Sequence, residues 1–124
     1  MTTATPSTDG LSPQQVHDLV ITVLEDMKAV DISIIDVKGK NSLTDEMVIA
    51  SGTSSRHLSA LADDLVKKAK QAGVPPLGVE GKNGSDWVLV DLNDVIVHLM
   101  LPRARLFYNL EKLWSASEAQ RKES

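Results

Sequence analysis

Three groups of residues in this chain have the types and spacing that chemistry can use. Gly52-Thr53-Ser54-Ser55 lies between an apolar run and a helical stripe, where free backbone N–H groups and the helix dipole favour an anion. The plainer reading, a helix cap preceded by a glycine, is preferred. The spacing is neither that of a Walker loop nor that of a dinucleotide fingerprint. Glu80, Asp86, Asp91 and Asp94 gather towards the end of the chain. A metal would need two or three of them converging on one ion, but a turn separates Asp91 from Asp94 and the chain holds no D-x-D pair. Turn-forming, solvent-facing acids are the preferred reading. The histidines are His17, His57 and His98, and none has another histidine four residues away, so zinc-protease spacing is missing. His98 reads as a satisfied, half-buried residue rather than a general base, since no serine nucleophile motif accompanies it. No catalytic residue, metal ligand set or cofactor is assigned.

The elements that must position these residues are clearest between Ser85 and Met100. Two alternating runs flank Asn93-Asp94, a two-residue junction that signals a β-hairpin. With Asn93 and Asp94 in the turn, Leu92 faces Val95, Val90 faces Val97, and Val88 faces Leu99. That surface is aliphatic and reads as core. The other surface pairs Asp91 with Ile96, Leu89 with His98 and Trp87 with Met100. A Trp, a His and an Asp on one surface have the composition of a docking face more than of a catalytic pocket. For Trp87 two readings stay open: a core residue, or an interface anchor. The second gains from strand alternation, which commits the opposite surface to the core.

Upstream, Ser12 as N-cap, Pro13 at the first helical position and Gln15 two residues further on form a capping-box start. Val16, Leu19, Val20, Val23, Leu24 and Met27 follow at helical spacing. Asp31 to Val37 reads as a strand, Gly39 to Asp45 as a polar loop, and Met47 to Ser51 as a second strand. Thr53, Ser54 or Ser55 caps a second helix with the stripe Leu58, Leu61, Ala62, Leu65, Val66 and Ala69. Gly73 stands where a left-handed stop belongs, with Pro75 and Pro76 beyond it. Leu77 to Glu80 is a third strand. Pro102 or Arg103 opens a third helix, whose apolar side is Leu106, Phe107, Leu110, Leu113 and Trp114, with Trp114 read as core. The order α-β-β-α-β-β-β-α predicts an α/β (α+β) fold: a mixed five-stranded sheet with helices mainly on one face. Residues 1–11 read as a flexible leader, 12–115 as one domain and 116–124 as a disordered tail.

At 124 residues the chain suits a single domain with its own core. Apolar residues make up 42% and charged residues 24%, as in ordinary globular proteins. Cysteine is absent, which excludes disulfides, thiol nucleophiles and cysteine-ligated zinc and fits a cytoplasmic address. No apolar run nears the roughly 20 residues of a membrane span, and the N-terminus lacks the regions of a signal peptide. The net charge of −4 argues against direct grip on nucleic acid, which needs clustered Lys and Arg. A basic protein partner, or none, fits it better, and net charge does not decide between those.

Five collinear segments carry a resemblance. They are I-D-V-K-G-K from Ile35, T-D-E-M-V-I-A-S-G-T-S-S-R-H from Thr44, P-L-G-V-E-G from Pro76, D-W-V-L-V-D-L-N-D-V-I-V-H-L-M from Asp86 and Y-N-L-E-K-L-W-S from Tyr108. In this combination the chain resembles the ribosomal silencing factor family, also called the Iojap-like family. The resemblance implies a nucleotidyltransferase-like fold and a factor that binds the large ribosomal subunit at ribosomal protein fourteen. Docking there blocks subunit joining and represses translation. It also implies that Asp86, Trp87, Asp91, His98 and Tyr108 lie at or beside the interface, with Glu80 and Lys112 as weaker choices. True nucleotidyltransferases follow the Gly-Ser helix start with a strand bearing paired carboxylates. Here Gly78 and Lys82 flank Glu80 instead, so the expectation is a regulator and not an enzyme.

Two other readings compete. A nucleotide-binding enzyme would use Gly52 to Ser55 for phosphate and Glu80 or Asp91 for metal. A homodimeric scaffold would use the mixed sheet face or a strand edge to pair with itself.

Overall fold

The computed structural model describes residues 11–36, 46–81 and 85–108. The elements run α1 (Pro13–Asp26), β1 (Val30–Asp36), β2 (Glu46–Ser51), α2 (Ser55–Gln71), β3 (Gly78–Glu80), β4 (Trp87–Asp91), β5 (Val95–Met100) and α3 (Pro102–Tyr108). This is the order read from the sequence, with strand ends displaced by a residue. The five strands form one sheet in the order β1-β2-β5-β4-β3. Only β2 and β5 run parallel; the other neighbours are antiparallel. The sheet is therefore mixed, and the fold is α+β.

Local chemistry explains where the helices begin and end. Ser12 Oγ accepts from the Gln15 amide at 3.2 Å, and Gln15 Oε1 accepts from the Ser12 amide at 2.9 Å. Both bonds of the capping box are present, and Pro13 occupies the first turn, where its missing N–H costs nothing. Ser54, among the candidates, is the cap of α2, its side chain accepting from the His57 amide at 3.1 Å. Past α2 the chain leaves through Gly73 at φ 85°, a left-handed conformation that a side chain disfavours.

The hairpin has the expected register. Trp87 pairs with Met100, Val88 with Leu99, Leu89 with His98, Val90 with Val97 and Asp91 with Ile96. Asn93 takes φ 74° in the turn, and Asp91 Oδ1 accepts from the Asn93 amide at 2.9 Å. Helices α1 and α2 cover the aliphatic face. Val20, Leu24, Leu58, Leu61 and Leu65 pack there against Val48, Ala50, Val88, Val90, Val97 and Leu99, all essentially inaccessible to water. Burial of that many branched side chains, at about 25 cal/mol per Å² of apolar surface, is the main source of stability.

The third helix departs from expectation. Leu106 and Phe107, read as its apolar side, are 79% and 80% exposed, while among the described side chains of α3 Ala104 is the one buried on the sheet, at 3%. Pro102 starts the helix and Leu101 closes its first bonds, accepting from the Ala104 and Arg105 amides. That fixes the phase of the helix so that Ala104 and Arg105 turn inwards. Apolar content alone does not set the phase in which a helix docks. Leu110, Leu113 and Trp114, the polar loop from Gly39 to Asp45, residues 1–10 of the leader and the tail over 116–124 lie outside the described residues.

Candidate functional site: the mixed face of the sheet

Strand pairing sets out the second face in rows. Paired residues of adjacent strands share a face, so Glu80, Leu89, His98, Ile49 and Ser33 form one row across all five strands. Trp87, Met100 and Ser51 form the next. Asp91, Ile96, Met47 and Ile35 form the row on the other side. Of the residues chosen from sequence, Glu80, Trp87, Asp91 and His98 thus share this face.

Trp87 and His98 are in direct contact. The indole Nε1–H donates to His98 Nδ1 at 2.9 Å, with ring centroids 5.7 Å apart and the planes tilted by 46°. Trp87 is half-buried, whereas His98 is only 6% exposed. The histidine is deeper than the half-buried position expected, because β5 is the middle strand and Ile49 and Leu89 flank it. Burial lowers its pKa from 6.5 to about 4. The ring is therefore neutral near pH 7, with its lone pair on Nδ1 and its proton on Nε2.

Around the indole the backbone is tightly built. Gly81 has φ 80°, and a side chain there would run into the Trp87 carbonyl. An open, apolar hollow of about 180 Å³ lies beside the ring, lined by Glu80, Gly81, Trp87 and Leu89. Met47, Ile49, Met100 and Ala104 form a small apolar cluster next to it, against which Trp87 and Ile35 pack.

Carboxylates edge this face without forming a metal centre. Asp91 is engaged in the hairpin turn. Asp86 sits one residue before the strand, its carbonyl accepting from the Leu101 amide at 2.9 Å, its carboxylate 3.9 Å from exposed Arg103. Among the described residues no group of three or more His, Asp or Glu side chains is placed to hold a metal. Tyr108, in α3, is the last described residue, and Lys112 lies outside the described residues.

The Gly52 to Ser55 turn is capped rather than open. The Gly52 amide donates to the Met100 carbonyl at 3.2 Å, the Thr53 amide to His57 Nδ1 at 2.9 Å, and the Leu58 amide to the Ser54 carbonyl at 2.9 Å. His57 Nε2 in turn donates to the Met27 carbonyl at 2.8 Å, so the ring ties the start of α2 to the end of α1. The Gly52 and Thr53 amides are thus taken up inside the protein and not offered to a phosphate.

Sequence reasoning missed Arg105. Its guanidinium reaches from α3 over the sheet, donating to Ser51 Oγ at 3.1 Å and to Ser33 Oγ at 2.9 Å. Ser51 is 1% exposed. The only sequence signal was a polar Ser among apolar neighbours at the end of β2. It also missed the pair between His17 Nδ1 and Glu46 Oε1, 2.6 Å apart, which links α1 to β2.

Topology and site together define a small α+β domain whose sheet is sealed by two helices on one face and carries, on the other, a half-buried Trp bonded to a buried His. Its relatives narrow that class. A family model described as "Ribosomal silencing factor during starvation" matches residues 11–124. The chain is 49% identical to the ribosomal silencing factor RsfS of Haemophilus influenzae, over 79% of this chain and 96% of that protein. It is 43% identical to a mouse protein named "Mitochondrial assembly of ribosomal large subunit protein 1", over 79% of this chain and 44% of that one. A crystal structure of a Chromobacterium violaceum protein superposes with a TM-score of 0.82 at 43% identity, covering 85% of this chain and 88% of that one. The chain belongs to the ribosomal silencing factor family.

Proposed function

We propose that this protein docks through its mixed sheet face on the large ribosomal subunit, at ribosomal protein fourteen, and so keeps the small subunit from joining. The observation that carries the reading is the Trp87 indole, half-buried, bonded to His98 and bordered by an open apolar hollow. Aromatic residues held in such settings are the anchors that dominate interface energies. Glu80, Asp86 and Asp91 supply negative charge near it, and the whole chain carries −4. A basic ribosomal protein is steered towards such a face. The names of the bacterial relatives and of the mouse protein all point to ribosomes.

The action is steric and non-catalytic. A bound protein excludes a competitor from the same surface whenever its binding free energy, at working concentration, exceeds the competitor's. Translation falls because subunits cannot pair, and the factor works in the cytoplasm alongside its ribosomes. Sedimenting the protein with separated subunits tests this. It is expected to travel with large subunits alone and to reduce the yield of joined particles as its concentration rises. Undiminished joining at saturating protein would overturn the steric mechanism.

A further inference from the structure

Trp87 could serve as an anchor with its ring free to turn, but three observations fix it. Its Nε1–H has a buried acceptor at 2.9 Å. The acceptor is itself held in the central strand between Ile49 and Leu89. The Trp87 side chain also packs against the apolar cluster of Met47, Ile49, Met100 and Ala104. A histidine under the sheet surface is otherwise hard to account for, since an aliphatic residue in its place would pack with Ile49 and Met100 without burying polar atoms.

We infer that His98 is a positioning residue: it accepts the indole N–H and holds Trp87 in the orientation in which the ring meets its partner. This rests on the docking reading and deepens it, giving the buried face of the anchor a role distinct from the face that touches the ribosome. Burial keeps the imidazole neutral near pH 7, so the acceptor lone pair stays available wherever ribosomes work. Orienting a large side chain before contact lowers the entropy lost on binding. On that basis removal of the acceptor weakens binding about fivefold, the equivalent of about 1 kcal/mol for one ordered side chain.

The test is a double-mutant cycle read by titrated co-sedimentation with purified large subunits. His98→Phe keeps a ring but removes the acceptor, and His98→Gln restores an acceptor oxygen. Each is made with Trp87 and with Trp87→Phe, which keeps an aromatic ring but has no N–H to place. The expected results are weaker binding by His98→Phe, recovery by His98→Gln, and no further loss from His98→Phe once residue 87 is Phe. A purely structural histidine would give the same loss in both backgrounds, and that result would overturn the inference. In the free, nitrogen-15-labelled protein, the indole N–H signal that disappears in Trp87→Phe should exchange slowly with solvent in the native chain and quickly in His98→Phe. This second measurement separates the two levels. Native protein that ignores large subunits would remove the docking reading and the inference with it. Native binding with unchanged binding by His98→Phe would remove the inference alone.

Discussion

Leu99 and His98 are adjacent on one strand and live in different solvents. Leu99 points into the layer beneath α1 and α2, within the large cluster of aliphatic side chains. His98 points the other way, bonded to a tryptophan beside a small cluster that includes two methionines. Both are buried, at 0% and 6% exposure. Alternation alone assigns them to opposite faces, and the faces do different work. One is uniform, closed and tolerant of nothing but volume-matched apolar residues. The other buries polar side chains that bond to one another, His98 with Trp87 and Ser51 with Arg105, and such groups are expensive to bury unless they are hydrogen-bonded. Stability is drawn chiefly from the first face, and the proposed function assigns recognition to the second.

Substitutions measure how far that division goes. Leu99→Ala should cost the most, about 3 to 4 kcal/mol by chemical denaturation, as expected for a leucine deleted from a close-packed core. A loss under about 1 kcal/mol would mean that the helix-facing layer is not the main source of stability. His98 should make its contribution through pH. Its folded pKa of about 4 lies below the ordinary 6.5, so the unfolded chain binds the proton first on acidification. Its neutral state supports the fold fully above pH 6.5, and that support drains away as pH falls towards 4, by about 3 kcal/mol in all. His98→Gln should flatten this part of the stability–pH curve, while Leu99→Ala should shift the curve without changing its slope.

Arg105→Ala should cost about 1 to 2 kcal/mol, since it strips a partner from the buried Ser51 hydroxyl. Thermal melts of Arg105→Ala and Arg105→Lys would show whether the forked guanidinium is needed. Leu106→Ala, at a site 79% exposed, should change stability by less than about 0.5 kcal/mol. A larger loss would return Leu106 to the core side of α3.

Much of this contrast is legible in the sequence because it is local. The hairpin register follows from alternation about Asn93-Asp94, the start of α1 from Ser12, Pro13 and Gln15, and the α2 layer from its leucine spacing. The assignment of Trp87 and His98 to one face follows from the same register. Their hydrogen bond does not, because alternation says which way side chains point and not which atoms meet. Arg105 illustrates the greater gap. Its partners lie 54 and 72 residues earlier in the chain, and nothing in the local pattern ties an arginine in α3 to serines in β2 and β1. The exposure of Leu106 and Phe107 was hidden for a related reason: the phase of a helix is set by its docking, and its composition leaves several phases open.

The most direct test of the central claim compares native protein and Trp87→Ala in co-sedimentation with purified large subunits at moderate salt. Truncation of an anchor typically costs 2 kcal/mol or more, so the account predicts binding weakened by roughly 30-fold, with thermal stability checked in parallel. Equal sedimentation of the two proteins would contradict it and place the ribosome contact on another surface.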